Sequence, residues 1–271
     1  MTDIAVVLNA HENSPVFKDT LESVRHYWTD QVMVVVDGKN WSQFRDDDIP
    51  ALKLDGFTHG KESAPYRNVC LGLMKAWESW GQSADWYVYM EYDCLVGSSE
   101  TKEHLRMADE MGCWLLGNDH RQEKRKMPFM ERFEGSELNL NYLLGCCMFF
   151  SRKFMKELAD RNFFERFLKF TNFNNNISLL DARGKNHMVY DLSEFLYPTL
   201  AVKYGGKVQE IACWLWNGWR GNYSHYPMRF RPDLTESPYE QACVMHPLKD
   251  FDNPVRAYHR QRRLTNKGVI L

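Results

Sequence analysis

Two carboxylates stand where an apolar stretch of the chain ends. Glu91 and Asp93 come directly after the run Trp86–Met90. Side chains alternate between the two faces of an extended strand, so residues two apart point the same way. Two carboxylates on one face can share a hard cation such as Mg²⁺ or Mn²⁺, which can neutralise charge on a leaving diphosphate. The pair is a candidate metal site; the alternative is that two acids simply end a strand in solvent.

A second acidic pair, Asp191 and Glu194, has a spacing of three and opens the helix-like segment Asp191–Tyr197. Residues three apart share a face of a helix. A carboxylate there can accept a proton from a substrate hydroxyl, and partial burial raises its pKa usefully. The same spacing also describes a capping box, with Asp191 as N-cap and Glu194 at the third helical position. Spacing does not separate a general base from a cap, and both roles can hold together.

Short apolar runs alternate with helix-like stretches over the first hundred residues. The runs Ile4–Leu8, Val32–Val36 and Trp86–Met90 are strand-like, and the segments Val16–Tyr27 and Asn68–Trp80 between them are helix-like. This alternation predicts βαβ units and an α/β fold with a largely parallel sheet. Val32–Val36 is continuously apolar, as expected for a strand covered on both faces.

Three polar clusters are predicted to meet at one edge of that sheet. Ligands of open α/β sheets bind outside the carboxyl ends of the strands. Ala10–Glu12, Asp37–Lys39 and Glu91–Asp93 all follow strand-like runs. Ser14 followed by Pro15 predicts a helix start, which leaves Ala10–Asn13 in the loop after the first strand.

The second half is less regular. Tyr142–Phe150 is predicted to be a strand, and the charged stretch Arg121–Glu137 before it a long excursion or lid. From Gly205 onward, abundant Trp, Gly, Tyr, Pro and Arg favour irregular loops, with Trp214–Arg231 as an acceptor wall, a donor lid or a small hydrophobic cluster. The basic stretch Arg256–Arg263 is expected to be a solvated helix face, with contact to anionic lipid or nucleic acid as the alternative.

Composition excludes several classes of protein. Apolar residues make up 44% and charged residues 26% of 271 residues, which is typical of a folded globular chain. A net charge of −2 gives no global attraction for nucleic acid, so nucleic acid is not an expected partner. Seven cysteines without a CxxC pair favour buried reduced thiols over a zinc site. The lack of a signal peptide pattern and of an apolar stretch of ~20 residues predicts a cytoplasmic protein, with peripheral membrane contact through the basic C-terminus.

Four landmarks in order resemble the nucleotide-binding half of GT-A glycosyltransferases, especially family-2-like members. They are Val6–Glu12, Val34–Gly38, Arg67–Asn68 and Glu91–Asp93. The resemblance implies a GT-A-like (Rossmann-like) mixed, mostly parallel sheet flanked by helices, in a single domain over 1–271. Residues 1–100 would bind the nucleotide sugar, and 101–271 the acceptor, with a C-terminal closing segment. The family motif is written DxD, and Glu91 departs from it.

The resemblance also implies roles for residues near the donor. Ala10, His11, Glu12 and Asp37 would line the base and ribose, and Arg67 would steady a phosphate or the acidic motif. For two of them there is an alternative, because Asp and Gly after Val36 are common in ordinary turns and Arg67 fits a helix surface.

Further implied roles concern the metal and the reaction. Asp93 would be the principal metal ligand, with Glu91 binding the metal or the ribose. His246 would complete the metal shell, or be a structural histidine, and Lys249 would contact the diphosphate. Imidazole suits Mn²⁺ better than Mg²⁺. Glu194 or Asp191 would be the general base of an inverting transfer.

The sequence therefore predicts a metal-dependent sugar transferase that takes a nucleotide-diphosphate sugar, with a UDP-sugar preferred, and an acceptor that is a glycan, a lipid-linked molecule or a protein. A nucleotidyltransferase is one alternative, but it would need a glycine-rich loop after the first strand, and Asn9–Ser14 contains no glycine. The other alternative is a catalytically silent protein that binds a sugar nucleotide or glycan on the same fold.

Overall fold

The computed structural model describes residues 2–36, 42–44, 50–53, 65–171, 178–180, 185–188, 192–212, 215–216, 219–220, 224–229, 233–235 and 239–267. Its strands are β1 (Ile4–Ala10), β2 (Val32–Val36), β3 (Ala51–Lys53), β4 (Trp86–Glu91), β5 (Leu95–Val96), β6 (Cys113–Gln122), β7 (Asn141–Ser151), β8 (Ser178–Leu180), β9 (Asn186–Met188), β10 (Lys207–Glu210), β11 (Leu215–Trp216), β12 (Trp219–Arg220) and β13 (Val244–Met245). Its α-helices are α1 (Pro15–Tyr27), α2 (Pro65–Trp80), α3 (Thr101–Glu110), α4 (Pro128–Glu134), α5 (Arg152–Asp160), α6 (Phe163–Thr171), α7 (Ser193–Lys203) and α8 (Pro254–Lys267).

Seven strands form the central sheet, in the order β10-β6-β7-β4-β1-β2-β3. Neighbouring strands are parallel except at β7, which runs antiparallel to both β4 and β6. The predicted architecture, a mixed and mostly parallel sheet flanked by helices, is confirmed. The carboxyl ends of β1, β4 and β6 consequently face the same edge. The division into a donor half and an acceptor half stays a prediction.

Each central strand contributes side chains to two hydrophobic cores, one on each face of the sheet, because successive side chains point to opposite faces. Val7 and Val35 face α2, whereas Leu8 and Val34 face α1. Helix α2 approaches the sheet closely at Gly72, where a Cβ atom would lie 2.3 Å from Val7 Cγ1. All five residues of β2 are buried, as its apolar run predicts.

The start of α1 follows the predicted pattern. Ser14 is the N-cap, and its Oγ accepts a hydrogen bond from Phe17 N at 3.3 Å, with Pro15 at the first helical position. The cap fixes where the chain turns after β1. Ala10 is still the last residue of β1, so the loop begins one residue later than predicted, at His11, and it lies at the carboxyl edge of the sheet.

Two predictions for the second half are wrong. The stretch 121–137 is not a lid: it contains the end of β6 and helix α4, whose Phe129, Met130 and Phe133 are buried in the core. The region after Gly205 is not only irregular, because it contains β10 and the 14-residue helix α8. In both regions apolar side chains spaced for a helix outweigh a charged or loop-like composition.

The basic C-terminal stretch is not a solvated face either. Arg256 and Arg263 are buried and pair with Asp19 of α1. Arg260 and Arg262 donate hydrogen bonds to backbone carbonyls of Phe251 and Glu240. The arginines that suggested a membrane-binding surface are thus largely engaged within the protein.

The six cysteines in the described ranges are buried and unpaired, which confirms the prediction of buried thiols for them. Among the described helices, none is long and apolar enough to cross a membrane.

Candidate metal centre

The two carboxylates after β4 approach each other through a turn. Strand β4 ends at Glu91, and Cys94 N donates to Glu91 O at 3.0 Å. Tyr92 N still donates to Asn9 O of β1, at 2.9 Å. The expectation that strand alternation aligns Glu91 with Asp93 is therefore wrong in its mechanism, because the strand has already ended. The turn nevertheless brings both carboxylates to one place.

His246 joins them from the far end of the chain. Its Nε2 lies 3.4 Å from Glu91 Oε2 and 3.5 Å from Asp93 Oδ1. One ligand atom from each of the three residues lies within 4.8 Å of the others. A nitrogen and two carboxylate oxygens at this spacing can converge on one divalent cation.

The backbone fixes the tautomer of His246. Its Nδ1 lies 2.7 Å from Arg229 O, and a carbonyl only accepts hydrogen bonds, so Nδ1 carries the hydrogen. The Nε2 atom is left to face the two carboxylates. A histidine that ligates a metal is usually held in this way by its other ring nitrogen.

Burial makes this site costly without a positive charge. Asp93 is 3% exposed and His246 is 5% exposed. Asp93 Oδ1 is buried and accepts no hydrogen bond in the described structure. A buried carboxylate oxygen without a donor carries a large desolvation penalty, which a bound cation would relieve. The three side chains fit a divalent cation on these grounds.

The same burial shifts the titration of the site. Desolvation raises the pKa of Asp93, Glu91 adds to that rise, and His246 opposes it. For His246, desolvation lowers the pKa, but Cys146, Glu91 and Asp93 together raise it well above its ordinary value. A proton on Nε2 therefore occupies the position that a cation would take.

The segment carrying His246 is attached to the acidic turn. Leu248 N donates to Asp93 O at 2.9 Å, and β13 pairs antiparallel with β5 just after the turn. Lys249 extends from this segment with its side chain 56% exposed, and its Nζ lies 4.0 Å from Asp93 Oδ2. An accessible ammonium beside the triad can meet a phosphate.

The end of β1 lies against the same turn. Ala10 is buried, the His11 ring packs edge-on against the Tyr92 ring at 5.4 Å, and Glu12 is exposed. The other predicted nucleotide contact, Asp37, lies outside the described residues.

Glu194 lies beside β7, close to the triad. Its Oε1 accepts a hydrogen bond from Gly145 N at 3.0 Å, and the next residue, Cys146, contacts His246 through its thiol. Helix α7 begins at Ser193, so Glu194 is its second residue, and the capping-box interpretation is wrong. Asp191 lies outside the described residues.

Arg67 is buried, so the helix-surface interpretation is wrong. Its guanidinium donates to Leu168 O at 2.7 Å and to Thr171 Oγ1 of α6. These bonds join α2 to α6. The predicted contact of Arg67 with a phosphate stays a prediction.

A cavity of about 600 Å³ lies on the Arg229 side of His246. Its lining combines carboxylates, aromatic rings and one buried amide: Asn118, Asp119, Glu210, Ser224, Tyr226, Pro227, Met228, Arg229 and Tyr239. Asn118 Nδ2 donates to Met228 O at 3.0 Å, while Asn118 Oδ1 is buried without a partner. Five of these nine residues, Ser224, Tyr226, Pro227, Met228 and Arg229, lie in the stretch Trp214–Arg231, for which the sequence favoured an acceptor wall, a donor lid or a hydrophobic cluster. The other residues come from β6, the end of β10 and Tyr239.

No known protein family profile and no curated protein matches the chain. Similar solved structures include an active-site mutant of LgtC, 16% identical, covering 97% of this chain and 95% of that one, with a TM-score of 0.47. A glycosyltransferase involved in glycosylation of the major capsid of PBCV-1 is 9% identical, covers 97% and 99%, and has a TM-score of 0.46. Bifunctional IspDF from Campylobacter jejuni is 8% identical, with a TM-score of 0.42; 82% of this chain spans about half (53%) of that one. At these identities neither substrate nor reaction follows, and the architecture is identified by the strand order and register described above.

Proposed function

We propose that the protein is a metal-dependent glycosyltransferase that moves a sugar from a nucleotide-diphosphate sugar to an acceptor hydroxyl. The observation that supports this most is the triad of Glu91, Asp93 and His246 at the carboxyl edge of the sheet, in which Asp93 and His246 are buried. Its tautomer, its unpartnered Asp93 oxygen and its position beside an exposed lysine all suit a cation bound to a diphosphate.

Glu91, Asp93 and His246 would hold the cation, and Mn²⁺ is preferred over Mg²⁺ because one donor is an imidazole nitrogen. Such an ion supplies neutralisation of the charge that develops on the leaving diphosphate. Lys249 would contact the same phosphates from the closing segment. Of the expected nucleoside contacts, Ala10, His11 and Glu12 lie beside the turn, and Asp37 completes the predicted set. A UDP-sugar is the preferred donor, by resemblance, and the cytoplasm is the proposed location.

The acceptor is proposed to enter the cavity beside Arg229. Glu194 and the cavity residue Asp119 both raise the pKa of Tyr142, after the larger effect of its burial, so base and cavity lie around one side chain. In this proposal Glu194 accepts the proton of the attacking hydroxyl. The hydroxyl oxygen bonds to the anomeric carbon as the bond to the diphosphate breaks, which inverts that carbon. The hydrogen bond from Gly145 N fixes the position of that carboxylate.

A turnover assay distinguishes this enzyme from a silent binding protein. Nucleotide sugars would be incubated with Mn²⁺ and a panel of glycan acceptors, and the product's anomeric proton followed by NMR. The proposal expects product with the opposite anomeric configuration to the donor. Glu194→Gln should lose at least ~100-fold in kcat while binding nucleotide normally. Absence of turnover with every donor, including hydrolysis, would contradict the enzymatic role. Product with retained configuration would contradict only the role of Glu194.

A further inference from the structure

Arg256 is a fully buried arginine whose bonds reach both segments that carry the metal ligands. Its Nε donates to Leu248 O at 2.8 Å, and its Nη2 donates to Cys94 O at 3.2 Å. Leu248 comes two residues after His246, and Cys94 directly follows Asp93. One rigid, planar group thus spans the acidic turn and the closing segment, although about 150 residues separate them in sequence.

Helix α1 holds the guanidinium in place. Arg256 Nη1 donates to Asp19 Oδ2 at 2.7 Å, and Asp19 also pairs with Arg263. Arg256 Nη2 donates to Thr20 Oγ1 at 3.1 Å. The Thr20 hydroxyl in turn lies 2.7 Å from Tyr92 O and 2.5 Å from Cys94 O. Helices α1 and α8 therefore meet at the backbone of the acidic turn.

We infer that Arg256 is a positioning residue that sets the distance between His246 and the two carboxylates. This inference rests on the proposed metal site. Besides the β13–β5 pairing and the adjoining bond from Gly97 N to Cys243 O, the described backbone link between the two segments is the bond from Leu248 N to Asp93 O. Arg256 donates to two other backbone oxygens of these segments, Leu248 O and Cys94 O. The two segments are therefore held together both by their own bond and by the guanidinium. A lysine cannot reproduce this, because its single ammonium lacks the fork that spans two carbonyls and a carboxylate.

The test is Mn²⁺ affinity by calorimetry, measured together with the thermal midpoint. Arg256→Lys keeps the positive charge, so a weaker site would reflect geometry. We expect its Kd for Mn²⁺ to rise by about tenfold or more, as for partners that orient metal ligands. Arg262→Gln is the matched control on the same helix, because Arg262 donates to Glu240 O, whereas Arg260 also lies 3.7 Å from Asp19 Oδ2. Its Kd should stay within about twofold.

Asp19→Asn separates positioning from stability. It removes the anion and lowers the thermal midpoint, but it leaves the bonds from Arg256 to Leu248 O and Cys94 O possible. We expect a midpoint loss at least as large as in Arg256→Lys, with a Kd within about threefold of the wild type. If the two variants lose stability and affinity in the same proportion, Arg256 acts through stability alone and the inference is overturned.

A near-isosteric variant covers the case in which Arg256→Lys does not fold. Thr20→Val removes the hydroxyl between Arg256 and the turn, and its Kd should rise by about threefold or more. Equal Mn²⁺ binding by the wild type and by whichever of these two variants folds would overturn the inference and leave the metal site standing. A wild type that binds no Mn²⁺ would overturn the metal site and this inference together.

Discussion

Two buried arginines, one in each half of the chain, stabilise different parts of the molecule. Arg67 donates to Leu168 O and Thr171 Oγ1, which joins α2 to α6. Arg256 donates to Leu248 O and Cys94 O, next to the residues that would bind the metal, and pairs with a buried carboxylate. The sequence favoured a site role for Arg67 and a surface role for Arg256. The role of a buried arginine therefore depends more on which backbone oxygens it reaches than on the sequence motif around it.

The largest effect on stability should come from Asp19→Asn. Asp19 pairs with the buried Arg256 and Arg263, and its loss leaves both without an anion. Removing one partner of a buried ion pair costs about 3–5 kcal/mol. Urea denaturation followed by circular dichroism should show that loss in the free energy of unfolding. A loss below about 1 kcal/mol would mean that the two arginines are not dependent on this carboxylate.

The next largest effect should be the change of Mn²⁺ affinity with pH. Because the pKa of His246 is raised well above its ordinary value, a proton competes with the metal for Nε2 even near neutrality. Affinity should therefore rise by up to about tenfold per pH unit from pH 6 to 8, since one proton leaves for each ion bound. Calorimetry in two buffers of different ionisation enthalpy measures the released proton. His246→Gln should flatten the profile, and an unchanged slope in that variant would assign the proton to another group.

A smaller loss is expected for Arg67→Met. The variant keeps the aliphatic bulk but leaves Leu168 O and Thr171 Oγ1 without their charged donor, at a cost of about 1–3 kcal/mol. Its Mn²⁺ affinity should stay within about twofold, in contrast to Arg256→Lys. Titration with a nucleoside diphosphate in the presence of Mn²⁺ then tests the predicted phosphate contact. Weaker binding of the nucleotide by the variant would give Arg67 a second role, in phosphate binding. A weaker affinity for Mn²⁺ itself would contradict the contrast drawn between Arg67 and Arg256.

The smallest effect should come from Lys249→Met. Its ammonium lies 4.0 Å from Asp93 Oδ2 on a side chain that is 56% exposed, and such pairs contribute about 0–1 kcal/mol. Thermal stability should change by less than that, while affinity for a nucleoside diphosphate should fall several-fold as the phosphates lose a cation. Lys249→Arg is the matched control and should retain that affinity.

The sequence predicted the sheet and the placing of Glu91 and Asp93 at its edge because both depend on local patterns. Apolar runs alternating with helical periodicity place β1, β2 and β4 in order, and the residues after each strand must meet at one edge. His246 was found only through a resemblance, because nothing in its own neighbourhood identifies a ligand. Its bond to Arg229 O spans 17 residues, and its contact with the acidic turn spans more than 150 residues of sequence.

The buried network and the cavity could not be predicted in the same way. Arg256, Arg260 and Arg263 are spaced for one face of a helix, so their periodicity could have shown a common direction. It could not have shown that Asp19 lies opposite them. Asn118 belongs to a strand with no distinguishing motif, and its unpartnered oxygen becomes visible only when β6 meets the loop at Met228. Helix α4 was mistaken for a lid because its charged residues hid the spacing of three buried apolar ones.

Thermal unfolding with and without Mn²⁺ shows whether a cation is held between the protein and a nucleotide diphosphate. Wild type and Asp93→Asn would be compared with UDP, GDP, ADP and CDP, each in Mn²⁺ and in EDTA. We predict that one nucleotide raises the wild-type midpoint only with Mn²⁺, by a shift equivalent to ~2.7 kcal/mol at a hundred times its Kd, and that Asp93→Asn loses the shift. No shift with any nucleotide, or an equal shift in EDTA or in Asp93→Asn, would contradict the account.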